Sequence, residues 1–201
     1  MNRDQWDQRY VGDDLVWTSI PNQFLVSEVT DLPAGSAVDL ACGEGRNAVW
    51  LAEQGWKVTG VDFSPVGLAK AQRLADAHQV QVEFVESAVE EWAAPPDGFD
   101  LVAVFYLQLP QPERLAALTV ASTSVAHGGT LLVVAHDHDN LTKGFGGPPN
   151  EAVLYSVDDV TSAAEDSGLV VERAEQVVRL VENESGVHQA IDTLVRAVRP
   201  G

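Results

Sequence analysis

The chain has 201 residues, 45% of them apolar, enough for one domain with a sizeable core. Its formal net charge of -18 is spread along the chain and argues against nucleic-acid or anionic-membrane partners, which are themselves polyanions. The single cysteine, Cys42, excludes an intrachain disulfide and a cysteine zinc cluster; no leader-like start or membrane-length apolar run is visible, so the expected setting is cytoplasmic.

Trp6 and Tyr10 are four residues apart, so a helix there places both rings on one face. Trp17 falls on a loop. Pro21 opens a helix to about Thr30, with Phe24, Leu25 and Val29 inward. Ala37 to Ala41 is an apolar run broken only by Asp39, the pattern of a buried parallel strand. Cys42-Gly-Glu-Gly45 forces a turn. Arg46 to Gln54 resumes at helical spacing and stops at Gly55. Lys57 to Val61 is a second strand with Asp62 at its carboxyl end. Together these make half of a doubly wound nucleotide fold, with a ligand expected across the strand ends.

Ser64-Pro65 caps and starts a helix to about His78, with Leu68, Ala69, Leu74 and Ala75 buried. Val82 to Val85 is the third strand and Phe99 to Tyr106 the fourth, preceded by a Pro95–Gly98 turn. Pro112 to Ala126 reads as a helix whose carboxyl end carries His127 as a dipole-favoured cation. Thr130 to Ala135 is the fifth strand. An irregular stretch from His136 to Asn150 follows, beginning at the ligand end of the sheet. Ser156 to Asp159 resembles a capping box, and its helix ends at Gly168. Leu169 to Val181 and Val187 to Val198 are strands joined by the short turn Asn183–Gly186, so they must be antiparallel.

Gly43, Gly45 and Ala48 fit G-x-G-x-x-[GA], so a nicotinamide dinucleotide is one candidate ligand. Asp39 and Glu44 flank the turn, however, and carboxylates repel a diphosphate at short range. They suit a ligand with an ammonium and a sulfonium, which is the polar end of S-adenosyl-L-methionine. Asp62 is placed for ribose hydroxyls in either case.

Asp39-Leu-Ala-Cys-Gly-Glu-Gly-Arg-Asn47 with Val61-Asp-Phe-Ser64 resembles the class I S-adenosylmethionine-dependent methyltransferases, and its Gly-Arg-Asn ending is similar to their tellurite-resistance and thiopurine-type branch. The resemblance implies a Rossmann-like α/β/α domain over residues 1–201, with a seven-stranded, mostly parallel sheet closed by the antiparallel hairpin. It implies methyl transfer to a small-molecule acceptor, a thiol or other chalcogen in that branch. Residues 1–32 become a helical cover, with Trp6 and Tyr10 folding over the cofactor, and residues 33–201 the catalytic core. Asp39, Gly43 and Gly45 frame the methionine tail, with Arg46 a partner for its carboxylate; Cys42, packed as a small apolar residue under the turn, counts with the cofactor-binding residues; Asp62 binds the ribose and Phe63 the adenine. Related enzymes carry an Asp where Ala88 stands, which leaves the backbone of Ala88 and Val89 for the adenine edge. Phe105 faces the methionine tail and the acceptor.

Methyl transfer chiefly requires alignment and exclusion of water. His136, directly after the fifth strand, is the leading candidate base, followed by Asp137, His138 and Asp139. Tyr106 and Tyr155 are candidate positioning or stacking groups. His136-x-His138 is also compatible with a metal, but no third ligand accompanies it and none is assigned. No Gly-x-Ser-x-Gly elbow supports a hydrolase. A non-catalytic cofactor-binding module and a nicotinamide-dependent oxidoreductase remain as rivals, and the chain is expected as a monomer or homodimer.

Overall fold

The apolar runs of the sequence form the strands of one sheet. The computed structural model describes residues 1–183 and 185–201. The strands are β1 (Ser36–Leu40), β2 (Lys57–Asp62), β3 (Val82–Glu86), β4 (Phe99–Phe105), β5 (Val125–His136), β6 (Val170–Asn183) and β7 (Gly186–Val198). Their order is β3-β2-β1-β4-β5-β7-β6, with seven strands in the sheet. Pairings among β1 to β5 are parallel; β7 runs antiparallel to both β5 and β6. This is the expected Rossmann-like sheet with its carboxyl-terminal hairpin. Of the turn expected at Asn183–Gly186, Glu184 lies outside the described residues.

The helices are α1 (Arg3–Tyr10), α2 (Gln23–Val29), α3 (Arg46–Glu53), α4 (Pro65–Ala77), α5 (Glu113–Thr123), α6 (Asn140–Lys143) and α7 (Val157–Asp166). Successive strand residues point to opposite faces, so each central strand feeds two cores. On one face, Val38, Leu131 and Val133 pack with Leu118 and Ala121 of α5 and Val160 and Ala164 of α7. On the other, Ala37, Leu132 and Val134 pack with Leu25 and Val29 of α2 and Ala48 and Leu51 of α3. Each such leucine, fully buried, contributes roughly 1.5–3 kcal/mol by leaving water.

The caps follow local chemistry. Ser64 Oγ accepts the Gly67 N–H at 3.0 Å with Pro65 in the first turn of α4, and Ser156 with Asp159 forms a capping box on α7. The buried face of α4 carries Leu68, Ala71 and Ala75, whereas Ala69 is exposed.

One segment differs from its expected form. α5 ends at Thr123 and β5 begins at Val125, so His127 lies in a strand rather than at a helix terminus. The chain beyond β7 extends the ladder there: Gly128 N–H donates to Arg199 O at 2.9 Å and Arg199 N–H to Gly129 O at 3.0 Å. His127 Nδ1 accordingly sits 3.0 Å from Pro200 O.

Candidate functional site

The strand order reverses between β1 and β4, the place where open α/β sheets form a crevice at their carboxyl ends. A cavity of about 440 Å³ opens there. Asp39, Cys42, Gly43, Arg46, Asp62 and Phe63 line one half; Phe105, Tyr106, His136 and Arg179 line the other, with Trp6, Tyr10 and Trp17 alongside.

The glycine turn is fixed from both sides. Gly43 and Gly45 have φ of +55° and +83°, a region that suits glycine. A Cβ on Gly45 would stand 2.7 Å from the Ala71 Cβ, so this glycine also lets α3 start hard against α4. Gly43 N–H donates to Asp62 Oδ2 at 2.8 Å, and Ser64 N–H donates to Asp62 Oδ1 at 2.9 Å. Burial pushes the Asp62 carboxyl above its ordinary range, and these N–H bonds oppose the shift. Cys42 packs against β2, its Sγ only 3.1 Å from where a Gly60 Cβ would be; burial pushes its thiol up, so it lines the cavity as an inert group.

Asp39 is 1% exposed, and its Oδ2 has no hydrogen-bond partner among the described residues. Burial raises its pKa to about 7, with Arg46 opposing. Arg46 is half-buried in the cavity wall and forms no ion pair among the described residues; burial lowers its pKa.

Glu44 overturns one part of the charge argument. It is buried, but it turns away from the cavity and accepts hydrogen bonds from Val16 N–H at 3.0 Å, Trp17 N–H at 3.1 Å and Lys70 Nζ at 3.0 Å. Its charge is matched inside the protein by Lys70. The turn therefore shows one unmatched carboxylate to a ligand, Asp39, and uses the other to latch the amino-terminal segment.

That segment is built from α1 and the loop after it. Trp6 and Tyr10 stack with centroids 5.5 Å apart at 26°, as their spacing predicts. The Arg9 guanidinium lies 5.3 Å from the Trp6 ring and 4.8 Å from that of Trp17. Ser64 Oγ donates to Asp7, tying α1 to the cap of α4. Gly67 explains itself here: a Cβ would press on the Tyr10 ring at 3.1 Å.

The other wall holds a network of side chains distant in sequence. Asp192, fully buried on β7, receives Tyr106 Oη at 2.8 Å and Arg179 Nε at 2.9 Å on Oδ2, and its Oδ1 lies 3.2 Å from His136 Nδ1. Tyr106 Oη also accepts from Asn22 Nδ2 at 3.2 Å and Arg179 Nε at 3.0 Å. The Tyr106 ring packs on His136 with centroids 4.6 Å apart. Tyr106 adopts φ +55°, unusual for a bulky residue, which aims its hydroxyl across the sheet ends. Bonds from His136 and Arg179 hold the Asp192 carboxyl below its usual value against its burial, and burial raises the Tyr106 phenol.

Sequence reasoning did not identify Asp192, Arg179 or Asn22. A lone acid inside the apolar run Ala190–Leu194 is the one trace Asp192 leaves in the sequence. Several named residues lie elsewhere. Ala88 and Val89 do not line the cavity, and Val89 packs into the core. Tyr155 is 1% exposed in that same core, donating to Leu107 O at 2.6 Å, so it is no stacking group for a ligand. Asp137 is buried, accepting from Thr193 Oγ1 and Gln176 Nε2, while His138 and Asp139 face Glu151 and Lys143. Only His136 of that quartet reaches the cavity.

Comparison with known proteins agrees with this architecture. Residues 37–129 match a family model described as a methyltransferase domain. Glycine N-methyltransferase of Rattus norvegicus is 27% identical over 189 residues, covering 86% of this chain and 64% of the relative, so the chain spans less than two thirds of that protein. A structure reported for the conversion of a disulfide bond into a thioacetal group in echinomycin biosynthesis superposes with a TM-score of 0.77 at 20% identity, covering 98% and 92% of the two chains. Magnesium protoporphyrin IX methyltransferase from Synechocystis PCC 6803, solved with bound SAH, gives 0.69 at 21% identity over 98% and 93%. With the glycine turn, the acid ending β2 and the antiparallel hairpin, these matches give residues 37–129 a methyltransferase domain and support a class I S-adenosylmethionine-dependent methyltransferase with S-adenosylmethionine as its cofactor.

Proposed function

We propose that this chain transfers a methyl group from S-adenosylmethionine to a small-molecule acceptor held against His136 and Tyr106. The observation that carries the reading is Asp39: a buried carboxylate in the cavity wall whose Oδ2 has no hydrogen-bond partner among the described residues. Such a group is costly unless a ligand satisfies it. The methionine ammonium fits it, and the unpaired Arg46 guanidinium fits the methionine carboxylate. Asp62, held by two backbone N–H groups, keeps lone pairs for the ribose hydroxyls, and Phe63 offers an apolar face to the adenine. Residues 1–32 act as a cover on the core of residues 33–201, with Trp6, Tyr10 and Trp17 closing the cavity and Glu44 holding the cover down.

The cofactor supplies a methyl group on a positively charged sulfur that departs as a neutral thioether. The protein supplies alignment, a dry site and a destination for the acceptor's proton. Asp192 fixes His136 through Nδ1, which leaves Nε2 to take that proton. The pair supports an acceptor that gives up a proton as it is methylated: a thiol or other chalcogen, as the branch resemblance implies, or an amine or hydroxyl.

The test is a titration of the protein with S-adenosylhomocysteine and with NAD, followed by an acceptor panel scored for demethylated cofactor. Micromolar affinity for S-adenosylhomocysteine with turnover supports the proposal. Tight NAD binding without it ends the proposal, and cofactor affinity with no turnover across thiols, amines and hydroxyls reassigns the chain as a binding module.

A further inference from the structure

The proposed function uses one of the two guanidinium groups in the cavity. Arg46 beside Asp39 serves the methionine carboxylate; Arg179 has no such assignment. Arg179 lies on β6, the edge strand farthest from β2 and β3, whereas Asp62 ends β2, and both line the cavity. Its Nε is committed to Asp192 and to the Tyr106 hydroxyl. Its two terminal amino groups have no hydrogen-bond partner among the described residues, although three quarters of the side chain is shielded from solvent. The centre of its guanidinium lies 5.5 Å from the Tyr106 ring centroid.

We propose that Arg179 is the anion subsite for the methyl acceptor, and that the acceptor carries a carboxylate on an apolar body. This rests on the transferase reading above. Two terminal N–H groups in a plane match the two oxygens of a carboxylate. Arg179 is already paired with Asp192, so it offers two hydrogen-bond donors with no surplus charge, which disfavours a phosphate dianion. Arg46 and Arg179 repel one another across the cavity, a cost that anions between them relieve. The protein as a whole carries -18, so an anion is held here by a locally built site and not by the general field. Ile20, Leu107, Leu109 and Leu180 also line the cavity and offer apolar surface to the rest of the molecule.

The experiment measures phenylacetate and its neutral isostere phenylacetamide binding to the full chain, first free and then saturated with S-adenosylhomocysteine. The expected result is at least a tenfold preference for the carboxylate that persists in the saturated protein. Arg179→Gln abolishes the preference, Arg179→Lys retains part of it, and neither changes S-adenosylhomocysteine affinity by more than about threefold. Equal binding of acid and amide to the saturated wild type overturns the proposal without any variant. So does a preference that vanishes when S-adenosylhomocysteine is added, because the carboxylate then occupies the place of the methionine tail at Arg46, and so does a preference that survives Arg179→Gln. Failure of S-adenosylhomocysteine to bind sinks the transferase reading separately, since the acid–amide comparison is still read on the free protein, where equal binding overturns the subsite as well.

Discussion

His136 Nδ1 stands 3.2 Å from Asp192 Oδ1, so the residue ending β5 is oriented by a carboxylate buried in the middle of β7. The pair exists because β5 and β7 run antiparallel in a register that sets His136 opposite Asp192. A one-residue slip would put Asp192 on the other face of the sheet.

Asp192→Asn removes the charge that orients and supports a protonated His136. Turnover on any accepted substrate is expected to fall by about 10²-fold or more, the lower range for a positioned general base. S-adenosylhomocysteine affinity is expected to stay within about threefold, by calorimetry. Unchanged turnover would show that His136 takes no proton.

Asp62→Ala is expected to weaken S-adenosylhomocysteine binding by about 10²-fold or more, since hydrogen bonds to a charged group contribute roughly 1.5–3 kcal/mol each. The same change strands the buried Gly43 and Ser64 N–H groups, so thermal unfolding is expected to show a loss of about 1–3 kcal/mol for each. A stability loss with affinity preserved would remove the ribose assignment.

Asp39 gives a pH dependence. Burial raises its pKa from 3.8 to about 7, so below that value the ligand-free protein holds a neutral carboxyl. An incoming ammonium favours the ionised form. Affinity for S-adenosylhomocysteine is therefore expected to rise with pH up to about 7, with a proton released on binding in that range. The stability effect has the opposite sense. Between 3.8 and about 7 the native state binds a proton that the unfolded chain has lost, so this contribution is complete at low pH and disappears as pH rises through about 7. Asp39→Asn is expected to flatten both profiles and to reduce affinity about tenfold or more. Calorimetry in buffers of different ionisation heat reads the proton count.

Glu44 and Lys70 form an ion pair with side chains 4% and 2% exposed. Lys70→Met leaves a buried carboxylate without its cation and is expected to cost about 3–5 kcal/mol in denaturant unfolding. Glu44→Gln with Lys70→Met is expected to recover part of that loss. Glu44→Ala alone removes the acceptor of both the Val16 and the Trp17 N–H and frees that segment, which limited proteolysis should cut sooner than in the wild type. Unaltered cleavage would show that the cover is held by α1 alone.

What the sequence determined by itself was local. The glycine turn was legible because positive φ at Gly43 and Gly45 is a property of single residues. The parallel strands, the cap at Ser64 and the hairpin were legible from apolar runs, a hydroxyl before a proline and a short connection. The stacked Trp6 and Tyr10 followed from helical spacing. Tertiary structure alone decided which charges face the cavity. Asp39 and Glu44 are five residues apart and chemically alike, yet the first points at the ligand end and the second is neutralised by Lys70, 26 residues away. Asp192, Tyr106 and Arg179 meet across separations of 86 and 73 residues. No short-range pattern encodes such a meeting, because burial cost, strand register and the arrival of a distant cation fix a side chain's direction only once the sheet has closed around it.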